Sequence, residues 1–107
     1  MSKILIGAAA ILAVSIGHAA GTCDAGLMRQ YRDCARIVDS LRPEKAGQAR
    51  VFALDGSEFT AGQALWMRAQ LRKFEALCAS GSDADQAQAT HVLSEVKELL
   101  RSHQRSS

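Results

Sequence analysis

Apolar residues recur along this chain at helical spacing in three separate blocks. In the first, Cys23, Leu27, Tyr31, Cys34, Val38 and Leu41 stand 4, 4, 3, 4 and 3 residues apart. That spacing draws one stripe down a helix, widened by Met28 and Ala35. It predicts a helix from near Asp24 to about Leu41, ended by Pro43, which drives Arg42 away from helical backbone. The opposite face holds Arg29, Arg32, Asp33, Arg36 and Asp39. Arg29–Asp33 and Arg36–Asp39 are the ion pairs expected from their i,i+4 and i,i+3 spacings.

The second block is Ala64, Met67, Leu71, Phe74 and Cys78, with Trp66 and Leu77 to one side. Thr60 precedes it as an N-cap and Gln63 follows three residues later, a capping box. Gly81 is placed to end it with a left-handed cap. The third block is Ala89, Val92 or Leu93, Val96, and Leu99 or Leu100, ending near His103. Ser82 is its N-cap, and Asp83 and Asp85 lie in a first turn that favours negative charge. The tail from 103 to 107 is expected to fray.

Between the first two helices lie about twenty residues, long for a helix connection. Within them "VFALDGSEFTAGQALW" changes period. Val51 to Leu54 is an apolar run able to lie over the helix pair. Asp55-Gly56 is a dipeptide that turns hairpins, and Ser57 to Phe59 returns. The expected fold is therefore all-α: a small three-helix domain whose first connection holds a short β-hairpin-like or extended segment.

The N-terminal segment changes the picture of compartment. Lys3 is followed by an uncharged run from Ile4 to Gly17, and cutting after Ala19 puts Gly17 and Ala19 at the small-residue positions a signal peptidase reads. This is the pattern of a secretory signal peptide, and the run is shorter than a membrane-spanning helix requires. Residues 1–19 are set apart on that reading, and 20–107 form one helical domain. A lipoprotein fits less well, because Thr22 precedes Cys23 where lipidation wants a small residue. The processed chain would be periplasmic or secreted, without stable membrane insertion. It would carry twelve Lys+Arg, since Lys3 is lost, against eleven Asp+Glu. So balanced a charge does not favour nucleic acid as a partner.

Export places three cysteines where disulfides persist. If the first two helices pack antiparallel with Leu41 beside Gly62, Cys23 falls nearly level with Cys78. Cys34 is then displaced from Cys78 by about nine residues of combined register at ~1.5 Å rise each. Disulfide geometry therefore favours Cys23–Cys78, with Cys34 a buried free thiol. The alternatives are Cys34–Cys78 with Cys23 free, or a leftover cysteine joining two copies.

Candidate chemistry is sparse. There is no C-x-x-C pair and no phosphate-cradling glycine loop. His91 and His103 are too far apart on one helix to share a metal, and His91 is read as lacking a helical carboxylate to orient it. Asp55 to Glu58 lacks the spaced acidic series of a calcium loop. Ser57 has no neighbouring base in sequence. No cofactor or metal is expected, and no catalytic set. The residues singled out for interaction are Asp55, Glu58, Phe59 and Trp66 from the connection and its end, with Arg29, Arg32 and Arg36 aligned on the first helix.

A leader, a small helical domain and a widely spaced cysteine pair resemble the layout of periplasmic acid-stress chaperones of the HdeA type. The resemblance is of layout, with no shared motif, and implies no particular site residue. The expected function is a non-enzymatic protein acting on another envelope protein as adaptor, inhibitor, immunity factor or chaperone. The alternative is a small ligand-binding protein or hydrolase with its site at the 51–66 connection.

Overall fold

The computed structural model describes residues 23–104, so the leader segment lies outside the described residues. Three helices and one hairpin follow in order: α1 Ala25–Asp39, β1 Arg50–Phe52, β2 Glu58–Thr60, α2 Ala61–Ser80 and α3 Asp83–Ser102.

Helix α1 starts where Asp24 accepts the Leu27 N–H at 2.8 Å. It ends two residues earlier than its apolar stripe suggests, with Ser40 as the cap. Leu41 is still buried, but it has left the helix. The reason lies one residue further on. Arg42, held extended by Pro43, exchanges two backbone hydrogen bonds with Phe52, at 3.0 and 2.8 Å. The proline that stops the helix thus also supplies a bridge to β1.

The hairpin pairs Arg50 with Thr60, Val51 with Phe59 and Phe52 with Glu58. Its side chains alternate, as pleated backbone requires. Val51, Ala53, Ser57 and Phe59 point inward and are buried, whereas Arg50, Glu58 and Thr60 are exposed. The apolar run from Val51 to Leu54 does not lie down as a unit, because Leu54 is 87% exposed. The turn is also longer than a two-residue Asp-Gly turn. Ala53 N–H donates to Ser57 O, and Gly56 N–H donates to Ala53 O, both at 2.9 Å. The loop is therefore Leu54-Asp55-Gly56, with Gly56 at φ 89° where a side chain would be strained.

Thr60 is both the last residue of β2 and the cap of α2. Its hydroxyl accepts the Gln63 N–H at 3.0 Å, and its own N–H donates to Gln63 Oε1 at 2.9 Å. That reciprocal bond fixes the Gln63 amide, whose nitrogen then faces His103 Nε2 at 3.4 Å. Nε2 consequently accepts, and Nδ1 is the nitrogen that donates to Glu58 O at 2.9 Å. The ring stacks on Phe59 with centroids 4.7 Å apart. His103, expected to fray, is instead held by the hairpin; residues 105–107 lie outside the described residues.

Helix α2 buries all five residues of its stripe, Ala64, Met67, Leu71, Phe74 and Cys78. Gly81 closes it at φ 82°. Ser82 then caps α3, which buries Ala89, Val92, Leu93 and Val96. Tyr31 of α1 stacks on Phe74 at 4.8 Å and donates its phenol to Glu75. Lys97 of α3 reaches Gln30 of α1 at 2.6 Å. The disulfide joins Cys23 and Cys78, with Cα atoms 5.3 Å apart, and Cys34 is free and buried. Burial raises the Cys34 thiol pKa; Lys97 opposes that shift and Asp33 adds to it. Joining two copies through Cys34 would require this part of the core to open.

Two outcomes follow from this packing. Replacing Cys23 and Cys78 by serine removes a link across 55 residues of chain. It should cost about 2–4 kcal/mol in urea unfolding, with peptide mapping showing Cys34 alkylated only after denaturation. Desolvation and the Glu75 carboxylate both push the Tyr31 phenol well above its ordinary 10.0. The folded state then holds this proton more tightly than the unfolded chain. Stability linked to Tyr31 is present below about pH 10 and falls as pH rises beyond it. Because the chain has one tyrosine, tyrosinate absorbance reads this directly, and a midpoint at the ordinary value would refute the contact.

Candidate functional site

The residues singled out from sequence do not form one surface. Arg29, Arg32 and Arg36 are all exposed on the outer face of α1. Arg36 pairs with Asp33 at 3.1 Å, in place of the two pairs expected. An acid preceding its base along the helix is the better orientation for such a pair. Arg29 and Arg32 make no ion pair among the described residues.

Phe59 is not a surface residue. It is 2% exposed, because the alternation that sends Glu58 outward sends Phe59 into the core. Glu58 is tied to Arg50 across the hairpin at 2.5 Å. The two border a broad, shallow depression of about 840 Å³ with Glu44, Gln63 and His103. Trp66 is 39% exposed on the outside of α2, next to Leu65 at 66%. Gln63, one turn before Trp66, reaches His103, so this flank of α2 borders the end of α3.

Asp55 and Arg36 are brought together. Both line a groove of about 300 Å³ between the last turns of α1 and the hairpin tip, with Ile37, Ser40, Ala53 and Leu54. Its position is fixed from both sides. Ser40 Oγ accepts the Leu54 N–H at 3.2 Å, while Asp55 Oδ1 accepts the Ser57 N–H at 2.9 Å. Leu54 and Ile37 thus stand as exposed apolar groups on an ordered frame, flanked by one cation and one carboxylate.

Three features escaped the reading of the sequence. Leu54 and Ile37 were legible as apolar residues out of step with their elements: Leu54 falls after the inward pair Val51 and Ala53, and Ile37 beside the stripe member Val38. His91 does have a helical carboxylate, since its Nε2 lies 3.5 Å from Glu95 at i,i+4. Ser57 is 3% exposed, although it sits beside a turn. Its hydroxyl makes no hydrogen bond among the described residues, while its backbone N–H and O are both used.

No group of three or more His, Cys, Asp or Glu side chains is placed to share a metal among the described residues. The groove offers shape, apolar surface and one charge of each sign.

Substitution separates the two kinds of connection residue. Phe59→Ala should cost about 3–5 kcal/mol in denaturant unfolding, as a buried aromatic lost from the core. Leu54→Asp should change stability by no more than about 0.5 kcal/mol. Equal costs would overturn this division. No known protein family, curated protein or solved structure matches the chain, so its own residues carry the functional reading.

Proposed function

We propose that this chain is an exported, non-enzymatic binding protein that acts on another envelope protein as adaptor, inhibitor, immunity factor or chaperone. The observation that carries the reading is Leu54, 87% exposed at the tip of a hydrogen-bonded hairpin and bordering a groove with Ile37. An apolar side chain held out on an ordered turn loses little entropy when a partner covers it. Arg36 and Asp55 at the rim add directional contacts of both signs. Leu65 and Trp66 form a second exposed apolar pair, and tryptophan is enriched where interfaces concentrate their energy.

Two features support export. The Cys23–Cys78 disulfide suits an oxidising compartment, and the uncharged run before it has the pattern of a cleaved leader. No helix of the described residues is long and apolar enough to cross a membrane.

The test is photocrosslinking in the cells that make the protein. A photoreactive side chain replaces Ile37 or Asp55 in turn, with Leu54 retained. One discrete adduct is expected from each, reduced about tenfold or more by Leu54→Asp. The same adduct from Ala76, on the exposed face of α2, would refute the groove as the contact. So would indifference to Leu54→Asp. Recovery of the chain still carrying residues 1–19, in the cytoplasm and with Cys23 reduced, would refute export.

A further inference from the structure

The orphaned hydroxyl of Ser57 belongs to a second cavity, which adjoins the groove across Ile37 and Asp55. It has a volume of about 340 Å³ and lies between α1, α3 and the inner side of the hairpin. Ile37, Phe59 and Leu100 give it apolar walls, one from each of the three elements. Ser57 and the free thiol of Cys34 also line it, and both residues are buried. A buried hydroxyl without a partner is costly, and its usual explanation is a group that occupies the space beside it.

Charge at the mouth narrows the kind of group. Four charged residues border the cavity: Asp33, Asp55, Lys97 and Arg101. Asp33 is neutralised by Arg36 at 3.1 Å and Arg101 by Glu98 at 3.3 Å. Asp55 is engaged by the Ser57 N–H. Lys97 donates to the neutral Gln30 amide, and no carboxylate of the described residues lies within ion-pair distance of it. Its positive charge is felt inside, where it lowers the Cys34 thiol against the rise caused by burial. Of the two cations at the mouth, Lys97 is therefore the one that no carboxylate of the described residues pairs, which makes it the anchor for an incoming anion.

We infer that this cavity binds a small organic acid, with an apolar body between Ile37, Phe59 and Leu100, its carboxylate toward Lys97, and a hydrogen-bonding substituent at Ser57 Oγ. The volume suits the size. A cavity of about 150 Å³ accepts a benzene ring, and ligand sites begin at about 300 Å³. A ring with a short acidic chain fits such a space. The cavity adjoins the partner groove and shares Ile37 and Asp55 with it, but Ser57 and Lys97, on which the tests below act, do not line that groove.

The test is amide NMR titration of the purified, disulfide-bonded protein with para-hydroxyphenylpropionate. Saturable shifts are expected at Cys34, Ser57, Phe59 and Leu100, with Kd below about 1 mM. Phenylpropionate, which lacks the hydroxyl, should bind roughly tenfold more weakly to the natural protein. It should bind equally with para-hydroxyphenylpropionate to Ser57→Ala. Lys97→Gln should weaken the acid roughly tenfold, and Lys97→Arg should retain it. Ser57 Oγ makes no hydrogen bond among the described residues and Lys97 Nζ makes one exposed bond, to Gln30, so the three variants are expected to fold, with unchanged spectra elsewhere. The inference is overturned if para-hydroxyphenylethylamine binds as well as the acid. It is equally overturned if Ser57→Ala leaves the discrimination intact, or if no saturable shift occurs and the cavity holds only water.

Discussion

One helix must be covered from two sides, and the rest of this structure depends on that constraint. The stripe of α2 runs its full length, from Ala64 to Cys78, and every member is buried. Helix α3 returns along it through the tight Gly81-Ser82 connection. Helix α1 closes the other side, with Tyr31 against Phe74 and the disulfide at the far end. A domain this small buries a modest fraction of its surface and has little stability to spare. The covalent link between the start of α1 and the last turns of α2 therefore matters more than it would in a larger core. It holds in register the two helices that the long connection separates.

With that register fixed, the hairpin has one place to go. Its inward residues Val51, Ala53 and Phe59 complete the core at the end of the bundle opposite the disulfide. Phe59 carries His103 on its ring, and His103 bonds the Glu58 carbonyl. The hairpin is thus clasped by the end of α3, by the Arg42 bridge and by its own continuation into α2 through Thr60. A two-stranded ribbon alone would be marginal in water; here three separate contacts hold it. This rigidity is what allows Leu54 to stand out into solvent on a defined frame, and it also forms one wall of the cavity at Ser57.

Much of the fold was legible because helices announce themselves locally. The capping box at Thr60 and Gln63, the left-handed Gly81, the cap Ser82 and the three apolar stripes are all properties of near neighbours in the chain. The disulfide was legible for a related reason. Antiparallel helices of known ends have a predictable register, and only Cys23 falls level with Cys78. The candidate surface was less legible. Phe59 was grouped with Asp55 and Glu58 by proximity in sequence, but strand alternation sends it to the opposite side from Glu58. Trp66 lies on α2, where it joins Leu65 and not the groove.

The sequence by itself determined the helices, their caps, the position of the turn and the pairing of Cys23 with Cys78, because each depends on spacing within a segment or on the register of two segments. Tertiary structure alone decided which side of the connection is buried, that Arg36 and Asp55 share a groove with Leu54 and Ile37, and that Ser57 lies against a cavity beside Lys97. These are meetings of α1, α3 and the hairpin, between residues 17 to 40 positions apart. Such meetings are set by how one core fills its volume, and no local period along the chain records them.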